Sequence, residues 1–205
     1  MKLIKVCGMR QADNIRQIEN LGIDMMGFIF YPHSSRMVNK KPEYMPTTAK
    51  RVGVFVNADI KQIRTAIDEY KLDYIQLHGT ESPDLCKEIG RLTKKKIIKA
   101  FPIATAEDFK ATKQYEDCCE YFLFDTKCLG FGGSGNTFDW HLLDAYCGPK
   151  PFLLSGGICN ELIPQLTTLH HKYLAGFDLN SKFETAPAVK DVDKIDYFIK
   201  RMKTV

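Results

Sequence analysis

Eight short apolar runs, each followed by a longer segment of helical character, predict an α/β protein whose parallel strands close into a single (β/α)8 TIM barrel spanning residues 1–205. Two further observations favour closure. The runs are apolar with little alternation, as strands covered on both faces must be. The alternative, an open doubly wound sheet, would be expected to carry a G-x-G-x-x-G at the start of a helix, and none is present. The most glycine-rich stretch, 130–135, falls instead after the sixth run.

In chain order the runs are 3–7 (LIKVC), 26–30 (MGFIF), 51–56 (RVGVFV), 74–77 (YIQL), 97–101 (IIKAF), 121–125 (YFLFD), 152–155 (FLLS) and 176–179 (GFDL). Their β-branched and aromatic content, and the Gly, Asp, Asn or Ser that follows, are strand signals. Segment 59–70 (DIKQIRTAIDEY) sets Ile60, Ile63, Ala66 and Ile67 at helical spacing, and 81–91 (ESPDLCKEIGR) reads likewise. Segment 107–120 has few apolar positions and the adjacent Cys118 and Cys119, so it supports a helix poorly. The run Lys94, Lys95, Lys96 precedes the fifth strand and reads as a solvated turn at the far end of the barrel.

Apolar residues make up 44% of the chain and charged residues 26%, which are globular proportions that argue against disorder. A net charge of +4 over the whole length is too diffuse to imply nucleic-acid or membrane partners, yet suits an anionic small molecule. The seven cysteines are odd in number and lack C-x-x-C spacing, a pattern of free thiols in a reducing compartment. Lys5 and Arg10 interrupt any apolar start, so neither a signal peptide nor a spanning segment is expected and the chain reads as cytoplasmic. No helix face is obviously surplus to one barrel, which points to a monomer.

In a parallel barrel all strand C-termini share one face, so chemistry is sought there. The last two loops read as a phosphate site at the ends of strands 7 and 8. Gly156 and Gly157 would let backbone N–H groups approach the anion, with Asn180 and Ser181 adding donors. The same glycines could simply turn a strand into a helix. Cys7 ends the first strand ahead of Gly8, which puts a thiol in the mouth, although free cysteines are more often small buried hydrophobes. Asp125 closes FLFD before a loop able to cover a ligand (TKCLGFGGSGNTF), which suits a catalytic acid better than a turn residue. Arg36, in FYPHSSR, is either solvated or a bidentate grip on a carboxylate. His78 is given no role.

Seven segments, KVCGMR, GFIFYPHSSR, RVGVFVN, DYIQLHGTES, LFDTKCLGFGGSGNTFDW, PFLLSGGI and DLNSKFETAPAVKD, together resemble the successive signatures of the phosphoribosylanthranilate isomerase family of tryptophan biosynthesis. The resemblance implies an Amadori rearrangement of a phosphorylated small-molecule substrate without metal or organic cofactor. It further implies Asp125 as general acid, Cys7 as general base, Arg36 on the anthranilate carboxylate, and Gly156, Gly157, Asn180 and Ser181 on the phosphate. Lys182 and Phe183 depart from the family's usual small and aliphatic residues, and Cys128 and Leu129 stand where small polar residues are usual. Two rival readings remain. A pentose-phosphate epimerase or thiamine-phosphate synthase is one, the former expected to bring metal-ligating histidines and an acidic pair. The other is a non-enzymatic thiol sensor built on Cys118 and Cys119.

Overall fold

The structure, a computed structural model, describes residues 2–126 and 139–203. Parallel strands β1 (Leu3–Val6), β2 (Met25–Ile29), β3 (Lys50–Phe55), β4 (Tyr74–Leu77), β5 (Lys96–Ile103), β6 (Tyr121–Thr126), β7 (Phe152–Leu154) and β8 (Leu174–Leu179) pair in chain order, and β8 returns to β1 to close the barrel. Each of the eight apolar runs is a strand.

Helix α1 (Ala12–Glu19) follows β1, α2 (Ile60–Tyr70) follows β3, and α3 (Pro83–Thr93) follows β4. The α2 segment begins where Asp59 accepts from the Gln62 amide at 2.8 Å while the Gln62 side chain returns to the Asp59 N–H, a reciprocal cap for two otherwise orphaned donors. It ends at Lys71, which adopts the left-handed conformation. Its Ile63, Ala66 and Ile67 are buried, as their spacing demands. Helix α3 starts later than the sequence suggests, because Ser82 caps the Leu85 amide and Pro83 takes the first turn. Two further helices, α4 (Ile163–Thr168) and α5 (Val192–Lys203), follow β7 and β8, with a small hairpin of β9 (Glu184–Ala186) and β10 (Val189–Lys190) before α5.

The strand and helix alternation is less regular than the sequence suggests. No helix lies between β2 and β3, where Pro42 and Pro46 interrupt the chain. That segment is fixed instead by Glu19, whose carboxylate accepts from the amides of Thr47 (2.6 Å), Thr48 (2.5 Å) and Ala49 (3.2 Å) and from Tyr44 Oη (2.5 Å). The weakly patterned stretch before β6 forms a 3-10 helix, Ala106–Tyr115, whose buried residues Phe109 and Thr112 are spaced by the three residues of one such turn. A second 3-10 helix, Trp140–Ala145, precedes β7. Of the three-lysine run, Lys94 stops α3 and Lys96 opens β5 on the surface against Glu120.

Phe28, Phe55, Phe122, Phe124, Phe152 and Phe177 pack between the sheet and its outer layer, while Met25, Val52, Tyr74, Ile98, Ala100, Leu123 and Leu153 form a separate cluster. Each buried side chain of this size contributes about 1.5 to 3 kcal/mol. A third, small cluster of Cys7, Ile29 and Val54 lies at the strands' C-terminal ends, with Tyr31 packed on it. No described helix is long and apolar enough to cross a membrane.

Candidate active site

The C-terminal ends of the strands surround a cavity of about 430 Å³. Its wall includes Cys7, Arg36, Asp125, Gly156, Gly157, Asn180 and Ser181, so every residue singled out from the sequence meets in one place. The loop proposed to cover a ligand, with Cys128 and Leu129, lies outside the described residues beyond Thr126.

Cys7 is buried at the end of β1, and glycine at 27 is what leaves room for it: a Cβ there would lie 2.7 Å from Cys7 Sγ. Burial pushes the thiol above its ordinary pKa; the cations Lys5 and Lys190 act in the opposite direction. Lys5 lies two residues earlier on the same strand face, wholly buried, with Nζ donating to Asp178 Oδ1 at 2.8 Å. Burial alone would lower the Lys5 pKa, but Asp178 and the Cys7 sulfur outweigh it and raise it. Asp178 is itself pushed up by burial, and the 2.8 Å contact with the ammonium decides for an ionised pair.

Across the cavity, His78 Nε2 lies 3.3 Å from Asp125 Oδ2, and Gln76 Nε2 lies 3.0 Å from His78 Nδ1. The Gln76 amide nitrogen can only donate, so Nδ1 accepts and Nε2 carries the proton that faces Asp125. Asp125 Oδ1 also accepts from the Thr126 amide at 2.9 Å. Gly156 has φ +85°, and a Cβ there would meet Thr126 Oγ1 at 2.3 Å and Asp125 Oδ1 at 2.9 Å. Its lack of a side chain therefore serves the close approach of β6 as well as the turn.

Arg36 projects into the mouth, but its Nε and Nη2 edge is held bidentately by Glu184 at 2.7 to 3.0 Å. The Nη1 edge is what Glu184 leaves for a ligand. Burial would raise the Glu184 pKa, yet Arg36 and Lys190 together bring it below its ordinary value. Lys190 Nζ also donates to Asn180 Oδ1 at 2.8 Å, and its own pKa is lowered by burial. Of the two departures in the eighth loop, Lys182 is exposed and Phe183 packs into the core against Phe198, with centroids 5.4 Å apart.

Sequence reading gave His78 no role and missed Lys5, Gln76, Asp178, Glu184 and Lys190 as parts of this site. The available signal was a polar residue inside an otherwise apolar strand, as in LIKVC, YIQL and GFDL. The sulfurs of Cys118 and Cys119 are 3.8 Å apart, and neither residue lines the cavity.

A closed parallel barrel whose mouth faces a buried thiol, a histidine-bound carboxyl and an arginine defines an acid-base enzyme of the (β/α)8 class. The model of the N-(5'-phosphoribosyl)anthranilate (PRA) isomerase family matches residues 4–201. The N-(5'-phosphoribosyl)anthranilate isomerase of Phocaeicola vulgatus is 49% identical over 201 residues, covering 98% of both chains. Among solved structures, phosphoribosyl anthranilate isomerase from Thermotoga maritima superposes with a TM-score of 0.85 at 32% identity, covering all of both chains. A phosphoribosyl anthranilate isomerase in complex with reduced 1-(o-carboxyphenylamino)-1-deoxyribulose 5-phosphate superposes with a TM-score of 0.80 at 28% identity, again over all of both chains. The chain belongs to the N-(5'-phosphoribosyl)anthranilate isomerase family, the intramolecular aldose-ketose isomerases of tryptophan biosynthesis.

Proposed function

We propose that this chain converts N-(5-phosphoribosyl)anthranilate into 1-(2-carboxyphenylamino)-1-deoxyribulose 5-phosphate, with Asp125 as general acid and Cys7 as general base. Asp125 gives its proton to the furanose oxygen, and the anilino nitrogen's lone pair expels that oxygen, opening the ring to an iminium ion. The iminium acidifies the neighbouring C–H. Cys7 takes that proton as a thiolate, and the resulting enolamine tautomerises to the aminoketose. The electron sink is the substrate's own nitrogen, so neither step calls for a metal or organic cofactor. The observation that carries the reading is the shared cavity: Cys7 and Asp125 line it together with Arg36 and the turns after β7 and β8.

Arg36 would take the anthranilate carboxylate on its Nη1 edge, with Glu184 fixing the guanidinium plane. The phosphate would lie at Gly156, Gly157, Asn180 and Ser181, where positive φ at both glycines turns backbone toward the cavity. The solved relative with a bound phosphorylated analogue supports a phosphorylated ligand for this cavity. We also read the chain as a cytoplasmic, single-domain monomer, from its free thiols and its one closed barrel. Light scattering of the eluting protein checks the monomer.

Purified protein should consume the fluorescent phosphoribosylanthranilate. Cys7→Ser and Asp125→Asn should each lower kcat by about 10² to 10⁴ with unchanged circular dichroism. Undiminished turnover in either variant rejects its assigned role. Arg36→Ala should raise KM chiefly, because its contact is made in ground and transition states alike.

A further inference from the structure

Lys5 is wholly buried and Asp178 nearly so at the cavity wall, and neither has a step assigned to it above. A buried ion pair costs desolvation that its mutual attraction does not always offset, and an apolar pair of similar volume often fits as well. A buried pair immediately behind a reactive sulfur therefore invites a role. Lys5 and Asp178 are direct register partners of β1 and β8, and Cys7 follows Lys5 by two residues on the same face of its strand. The Lys5 ammonium thus has the Asp178 carboxylate beside it at 2.8 Å, and Cys7 is the next side chain on the same face.

The charges around Cys7 argue in the same direction. Facing it or its neighbours are Lys5 on β1, Asp178 on β8, Glu184 on β9, Lys190 on β10 and Arg36 from the loop after β2. Asp125, in β6, and His78, just after β4, pair with each other. Of these, Lys5 and Lys190 favour a charged Cys7 and Asp178 opposes it.

We propose that Lys5 is a positioning residue for the base: its ammonium, kept protonated and oriented by Asp178, offsets the cost that burial places on ionising Cys7 at the cavity floor. This rests on the reading of Cys7 as general base. The ammonium stays protonated throughout, so the proton taken from the substrate carbon resides on sulfur until tautomerisation. Lys5 then stabilises the starting state of the base without entering the proton transfer.

The test follows Cys7 alkylation by iodoacetamide as a function of pH, resolved by peptide mass spectrometry from the other cysteines. Lys5→Met alone would strand the Asp178 carboxylate, so the double variant Lys5→Met/Asp178→Asn is used, with Lys5→Arg as the conservative partner. In the double variant the midpoint of Cys7 alkylation should move up by about 1 to 2 pH units, and the acidic limb of kcat/KM should move up with it. Lys5→Arg should restore both towards the native values. An unmoved alkylation midpoint overturns the proposal, as does a moved midpoint with a stationary kcat/KM limb. Because alkylation reads ionisation directly, failure of the base assignment shows separately, as turnover surviving in Cys7→Ser.

Discussion

His78 Nε2 stands 3.3 Å from Asp125 Oδ2, and the opposite ring nitrogen of His78 is bound by Gln76 at 3.0 Å. Three side chains from β4, its following residue and β6 thus form one line ending on the proposed acid. Gln76 fixes the tautomer that presents Nε2–H to Asp125 Oδ2, while Oδ1 accepts from the Thr126 amide.

His78→Ala should therefore lower kcat by up to about 10²-fold, as a misplaced catalytic group does, while KM changes little. Gln76→Leu should act in the same direction and less strongly, since it releases the tautomer without removing the ring. Steady-state kinetics of both variants decide this. An unchanged kcat in His78→Ala would show that Asp125 is held without it.

Glycine at 27 is a second point of leverage on the site. In Gly27→Ala the new methyl would lie 2.7 Å from Cys7 Sγ and 3.1 Å from Cys7 Cα, so either the thiol or β1 must move. The expected costs are about 1 to 3 kcal/mol of stability by urea titration and a fall in kcat. Gly90→Ala is the control: in the interior of α3 the nearest contact of its Cβ is 3.6 Å, and the substitution should stabilise by about 0.5 to 1 kcal/mol. Equal stability changes in the two variants would refute the steric argument.

Glu19 ties α1 to the helix-free segment before β3, and its pKa falls to about 2. Burial works against that shift; the hydrogen bonds from Tyr44, Thr48 and Ala49 produce it. A carboxyl depressed on folding stabilises fully above its unfolded value and progressively less as pH falls toward its folded one. This contribution should therefore be complete above about pH 4.5 and fade between there and about pH 2. Glu19→Gln should cost about 1.5 to 3 kcal/mol near neutrality, since the lost bonds were made to a charged acceptor, and the deficit should shrink across that acid window. Urea titrations at pH 7 and pH 3 measure it, and a deficit independent of pH would contradict the assignment.

The strand framework was legible because both faces of every strand are covered, which forces an unbroken apolar run at each of eight places. The helices with strong caps, α2 and α3, were equally legible. The 3-10 helix before β6 and the helix-free segment before β3 were not. Tertiary packing sets the conformation of the first, and the second is organised by Glu19, a residue distant in the chain.

At the site, Cys7, Arg36, Asp125, the paired glycines, Asn180 and Ser181 stood out because a strand end followed by a loop is itself a sequence pattern. The sequence by itself determined which strands exist, and so which residues reach the mouth. Which charges meet below it was decided only by closing the barrel. Lys5 and Asp178 are 173 residues apart and become neighbours because β8 pairs with β1 in one register. A single-residue slip would turn either side chain to the other face, so the pair depends on how the two ends of the sheet join and is not encoded in either strand alone.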